Sequence, residues 1–331
     1  MKNKLEKLAW LSQKIGNRLD YVQGGGGNIS VKISDNLMAI KASGFELKNL
    51  TENSGFAFVN HQRIAKEINN EINFLEQDSQ HFSKHNPQTN SQHNSQENSQ
   101  NIIDGISTEI ALKNEQEFSL LIKESSQEIP PFQALRPSME TGFHSIIQDQ
   151  FVIHSHSVYA LILCCSKQGQ KILKEIFPQS IWINYCNPGL ELTRKISKTL
   201  AKEKSPIIFL QNHGIIISAN QENEALELHQ RVNDEIISHL NLTIFNPQKI
   251  NLIAEKKINE NVLFPDQIVF GLNEQFSKSK IANDIFLAYS YILKNIENKG
   301  LEANFISQEN INFIANMENE KYRIEVASKC K

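Results

Sequence analysis

Cysteine is scarce in this chain. There are four in 331 residues (Cys164, Cys165, Cys186 and Cys330), and none forms a C-x-x-C pair. So few in so long a chain exclude a disulfide framework and read as reduced, mostly core thiols. A surplus of one charge is missing as well: the formal net charge is −3, with acidic and basic residues interspersed. With no arginine-rich cluster and no interleaved aromatic stripe, nucleic acid is excluded as a partner. No apolar run approaches the roughly 18 residues that a membrane span requires. The N-terminus, MKNKLEKLAWLSQKIG, is charged and amphipathic rather than a basic region followed by an apolar core, so no membrane partner and a cytoplasmic location are expected. What is present is 40% hydrophobic residues, enough for a sizeable core in one large domain or two modest ones.

The most informative stretch is Phe151 to Ser157, FVIHSHS. In a strand, alternate side chains go to opposite faces, so Val152, His154 and His156 share one side and Phe151, Ile153 and Ser155 the other. Each imidazole carries a ring N–H and a lone pair that need partners when buried. The pair is either two satisfied core histidines or two ligands of one metal ion.

Leu5, Leu8, Ala9, Ser12, Ile15 and Leu19 recur at helical spacing and predict an opening helix. GGGGNIS (Gly24 to Ser30) follows, a loop able to bring backbone N–H groups close to a ligand. It is neither a dinucleotide fingerprint, whose third glycine would fall on Ile29, nor a P-loop, since no Gly-Lys-Ser/Thr follows. Leu37 to Ala42 and Phe56 to Val59 read as strands and His61 to Glu76 as a helix. In residues 77–101, 19 of 25 residues are Asn, Gln, Ser or His, which predicts a disordered polar insertion; its His81, His85 and His93 are read as solvated. Glu109 to Ser126 is predicted helical. In RPSMETGFH, Ser138 is placed as an N-cap, with Glu140 in the first turn and His144 on the same face. Ile207 to Leu210 and Ile215 to Ile217 form a hairpin with His213 at its turn, and Glu222 to Leu240 an amphipathic helix. Beyond Asn246, a helix over 281–295, a strand over 304–306 and a helix over 307–327 predict a small α+β extension.

GGGGNIS, KASG, PSMETGFH, HSH and NHG occur in that order within residues 24–214, and this series resembles the class II aldolase and adducin head domain family of zinc-dependent sugar-phosphate lyases. The resemblance implies a three-layer α/β fold: a mostly antiparallel sheet with helices on both faces, over residues 1–245, followed by the extension at 246–331. It implies Zn2+ held by His154, His156 and His213, with Glu140 as the catalytic acid/base. Gly27, Asn28, Ser30, Ser43, Gly44 and Ser138 match the phosphate-binding positions, although Met139 stands where the family has a second hydroxyl residue. The resemblance also implies a further proton donor near the C-terminus of a neighbouring subunit, which the sequence does not place at Tyr289, Tyr291, Tyr322 or elsewhere. The extension looks like the tail of longer, rhamnulose-phosphate-aldolase-like members and is read as packing or oligomer contact.

The activity implied is retro-aldol cleavage of a ketose 1-phosphate to dihydroxyacetone phosphate and an aldehyde, by a cytoplasmic homotetramer. Epimerisation or dehydration at the same zinc site, or a non-catalytic adducin-like interaction module, are the alternatives.

Overall fold

Strand β5 (Phe151–Ser155) lies in the middle of an eight-stranded sheet of order β4-β3-β2-β1-β5-β8-β7-β6. The other strands are β1 (Asn28–Lys32), β2 (Leu37–Lys41), β3 (Phe56–Asn60), β4 (Ser126–Gln127), β6 (Ile181–Ile183), β7 (Ile207–Leu210) and β8 (Gly214–Ala219). Every pairing is antiparallel except β6 with β7. These are the features of a computed structural model that describes residues 1–83, 96–253, 260–276 and 278–329, with 73–83 and 96–109 described by backbone course alone.

Both faces of the sheet are apolar, so both must be covered. One face presents Ile29, Val31, Phe151, Ile153, Phe209 and Ile215 to α1 (Lys2–Gly16), α5 (Val158–Cys164), α6 (Gly169–Ile176) and α8 (Glu222–His239). The other presents Met38, Ile40, Val152 and Ile216 to α2 (His61–Ser83), α3 (Gln96–Glu124), α4 (Thr141–Ile146) and α7 (Leu190–Leu200). This is the three-layer α/β architecture expected. Helix α1 turns Leu5, Leu8, Leu11 and Ile15 inward at the spacing read from the sequence. Helix α5 is buried at all seven positions, because it fills the space between the sheet and α9 (Lys280–Asn298).

The remaining expectations differ in detail. Helices α2 and α3 extend through 77–83 and 96–101 of the polar stretch, and residues 84–95, with His85 and His93, lie outside the described residues. The expected strand over 304–306 is absent. Asn304 N–H donates to the Cys165 carbonyl and Ile306 N–H to that of Val262, so the backbone groups are satisfied by two separate segments and not by a ladder. The expected helix over 307–327 is two helices, α10 (Gln308–Asn316) and α11 (Glu318–Lys329), parted at Met317, whose ψ of 129° is extended. The extension is thus helical among the described residues, and its Phe264, Phe270, Ile285, Tyr289, Ile314 and Met317 belong to the same apolar cluster as β5 and α5. Cys164, Cys165 and Cys186 are free, buried thiols; Cys330 lies outside the described residues. No helix among the described residues is long and apolar enough to cross a membrane.

Candidate metal centre

Three short segments deliver four ligand-type side chains to one end of the central strands. His154 is on β5 and His156 follows its last residue. In the tight β7–β8 connection, Leu210 pairs with Gly214 and Asn212 takes a positive φ of 54°, which His213 follows. Glu140 sits at the boundary just before α4, with its N–H donating to Ser138 Oγ at 3.2 Å. It is therefore the residue preceding the helix and not part of the first turn, and its side chain is free to point into the site. Glu140, His154, His156 and His213 are all buried, and one ligand atom from each lies within 4.8 Å of the others. The three imidazole centroids are 4.9 to 5.3 Å apart.

The hydrogen bonds around these rings select what the cluster can hold. His154 Nδ1 donates to the Ile215 carbonyl at 3.0 Å, and His156 Nδ1 donates to Asp266 Oδ2 at 2.6 Å. Both rings thereby present Nε2 as a lone pair when neutral. Those two Nε2 atoms are 3.0 Å apart, so the lone pairs repel unless a proton or a cation lies between them. Glu140 Oε1 is 3.3 Å from Nε2 of both His154 and His213. Burial alone would raise the Glu140 carboxyl, but the adjacent His154 and His213 rings overcome burial and hold it well below the usual carboxylate range. Burial pushes His213 down to about 4, which keeps its ring neutral near pH 7. A carboxylate with three convergent imidazoles is the donor set of a divalent transition-metal site, and these residues fit one.

Asn28 pairs directly with His154 across β1 and β5 and connects the cluster to a cleft. Its Nδ2 donates to Ser138 Oγ at 2.5 Å and to Glu140 Oε2 at 3.2 Å. Asn28 Oδ1 and His213 Nδ1 are buried with no partner among the described residues, as suits a site for a polar ligand. The cleft is lined by Gly27, Asn28, Ser43, Gly44, Ser138 and Met139 together with Glu140, His156 and His213. Ser30 is not brought there. It lies two residues further along β1, and its hydroxyl is held 2.8 Å from His144 Nδ1. His144 accordingly faces Ser30 and stays out of the metal cluster.

Four charged lining residues were not singled out from the sequence: Lys41, Asp266, Glu320 and Arg323. Lys41 is the first residue of KASG. It is buried, with Nζ donating to the carbonyls of Gly25 and Phe45 at 3.1 and 2.9 Å, and burial lowers it to about 8. Asp266 is fully buried. Burial would raise it, but His156 and Arg323 hold it well below its ordinary value. Its place explains Gly26, where a Cβ would collide with Asp266 Oδ2 and come within 2.8 Å of His156 Nδ1. Tyr289 is buried in the apolar cluster and Tyr291 donates to the Thr243 carbonyl. Tyr322 stacks under the Arg136 guanidinium at 4.4 Å.

The sheet, its helical layers and this cluster define a three-layer α/β protein with a buried Glu/His3 centre able to bind a metal. The chain belongs to the class II aldolase and adducin N-terminal domain family, whose profile matches residues 6–91 and 98–234. It is similar in fold to the N-terminal class II aldolase domain of a conserved protein from Thermoplasma acidophilum. The identity is 19%, 71% of this chain and 93% of that one are covered, and the TM-score is 0.52. It also matches the L-fuculose-1-phosphate aldolase of Thermus thermophilus, with a TM-score of 0.40, 12% identity and coverage of 73% and 95%. A curated relative, the uncharacterized oxidoreductase YuxG of Bacillus subtilis (strain 168), is 25% identical over 132 residues. That match spans 37% of this chain and only 19% of the relative.

Proposed function

We propose that the chain is a zinc-dependent lyase that cleaves a ketose 1-phosphate by retro-aldol reaction, releasing dihydroxyacetone phosphate and an aldehyde. The observation that carries this reading is the convergence of one ionised carboxylate and three imidazoles on the wall of a cleft that also holds glycine, serine and lysine. His154, His156 and His213 would hold the ion, as ligands that when neutral would leave its charge uncancelled. When bound, the ion supplies Lewis-acid stabilisation of the negative charge that develops beside the substrate carbonyl.

The chain's own groups do the rest. Glu140 would accept a proton and return it, with Asn28 fixing its Oε2 while Oε1 faces the histidines. Gly27, Asn28, Ser43, Gly44 and Ser138 would bind the phosphate, with the Lys41 ammonium adding charge. Binding energy from that remote group then positions the reacting carbons. Met139 offers this corner no hydrogen-bond donor.

Zinc content per chain after purification without chelator, followed by an assay for released triose phosphate over a panel of ketose 1-phosphates, tests the reading. Near-stoichiometric zinc and a metal-restorable release are expected. Zinc far below one per chain with no restorable activity would remove the proposal, and isomerised or dehydrated product without triose phosphate would replace it with epimerase or dehydratase chemistry. Assembly as a homotetramer rests on the family alone, and a monomeric mass by light scattering would remove that part.

Lys41 gives the phosphate assignment its own test. Its charge in the folded chain is present below about pH 8 and is lost as pH rises through that value. Calorimetric affinity for inorganic phosphate should therefore fall as pH rises through about 8, and Lys41→Met should bind weakly throughout and lack that limb. A wild-type affinity that is flat across this range would place the phosphate elsewhere.

A further inference from the structure

The family match ends at residue 234, yet the hydrogen bonds around the metal cluster run beyond it. His156 Nδ1 donates to Asp266 Oδ2 at 2.6 Å, and Asp266 Oδ1 accepts from Arg323 Nη2 at 2.8 Å. The guanidinium's other end, Nη1, donates to both carboxylate oxygens of Glu320 at 3.0 and 2.8 Å. Asp266 stands just before the π-helical turn Gln267–Gly271 and Arg323 lies midway along α11, so the chain's last helix reaches a metal-ligand ring through one intervening carboxylate. Three residues further along α11, Val326 lies against the Ser43–Gly44 corner. Gly44 has a φ of +81°, and a Cβ there would come within 2.5 Å of Val326. The same helix is thus fixed both to the orienting carboxylate and to the proposed phosphate corner.

A carboxylate that accepts the Nδ1 proton of a ligating imidazole sets the ring's tautomer and orientation and raises its basicity. Removing such a partner typically weakens metal affinity about 10- to 100-fold. Asp266 can do this only if it is itself held, because a carboxylate with one oxygen unrestrained rotates about its terminal torsion. Arg323 supplies that restraint from a planar fork that binds Asp266 with one nitrogen and Glu320 with the other.

We propose that Arg323 is a positioning residue for the ligand His156, acting through Asp266, so that docking of α11 and occupancy of the metal site are coupled. The proposal rests on the metal-centre reading above. Coupling is reciprocal: whatever factor docked α11 adds to metal affinity, bound metal adds to the docking of α11. The extension is then part of the centre, and not merely a packing surface.

The experiment uses the full chain. Zinc affinity is measured by chelator competition for the wild type, Asp266→Asn, Arg323→Met and, as an exposed control on the same helix, Lys329→Met. Hydrogen exchange across α11 is followed with and without zinc. Asp266→Asn is expected to lose about 10- to 100-fold and Arg323→Met about tenfold, with Lys329→Met unchanged, and zinc should slow exchange around Arg323 in the wild type by a similar factor. The cobalt-substituted absorption band should shift in Asp266→Asn and Arg323→Met but not in Lys329→Met, which a merely structural role would not produce. Arg323→Met leaves Asp266 and Glu320 buried without their cation, so Arg323→Met/Glu320→Gln and Arg323→Lys serve if the single variant does not fold. Zinc affinity within twofold of wild type in a folded Arg323 variant, or α11 exchange indifferent to zinc, overturns the proposal. A wild type that binds no zinc at all instead overturns the metal-centre reading, and this inference with it.

Discussion

On the proposed reading, Glu140→Gln should lower turnover of a ketose 1-phosphate by about 10²- to 10⁴-fold, the usual contribution of a positioned acid/base group, without loss of zinc. The amide matches the carboxylate in shape and can still accept a hydrogen bond from Asn28 Nδ2, now 3.2 Å from Oε2. What it loses is the ability to take up a proton at the atom that faces His154 and His213. Metal retention follows because the three imidazoles are untouched. The variant's kcat is compared with wild type at matched, measured zinc content. A Glu140→Gln chain with full zinc and a kcat within threefold of wild type would show that some other group moves the proton.

His154→Ala should have the larger effect on the metal itself. Its ring is fully buried, its Nδ1 is anchored on Ile215, and its Nε2 is close to both Glu140 and His156. If the free energy of a structural zinc site is shared among its ligands, losing one weakens binding on the order of 10²- to 10³-fold. Chelator competition measures it, with activity falling in parallel and returning in part at high zinc. The truncation also leaves a cavity beside Phe143, whose ring centroid is 5.6 Å from that of His154, so lower thermal stability is expected even without metal. Zinc affinity equal to wild type would show that the ion, if bound, sits elsewhere.

The parts of the site that the sequence disclosed are those whose geometry is local. Two histidines two apart in a β-favouring run must share a face, and they do; a histidine in a two-strand turn must sit at the sheet's end, and His213 does. Ser30 shows the limit of this logic. It shares the strand face of Asn28, but one period along the strand was enough to hand its hydroxyl to His144, and nothing local to residues 24–30 says where the cleft stops. Asp266 and Arg323 carried no signal at all. An isolated Asp after a proline and an Arg in a charged helix look like surface residues until the chain brings them to His156. Lys41 had a faint one, a lysine inside an otherwise apolar strand, which is costly to bury without a purpose.

The C-terminal elements follow the same division. Ser307 was legible as a helix start, and its hydroxyl does accept from Asn310 N–H. The absence of a strand at 304–306 was not, because the partners of those backbone groups, Cys165 and Val262, lie about 140 and 40 residues away; the break at Met317 had no marker in the sequence of 307–327.

Periodicity and turn chemistry, which act over a few residues, disclosed the central strand, the shared face of His154 and His156 and the turn at His213, whereas the layers and the set of four ligand-type residues came from the resemblance of the motif series to a known family. Only the tertiary structure decided which polar groups bond to those side chains, and that α11 reaches them through Asp266, because charges buried far apart in sequence can be placed only once the core that buries them has formed.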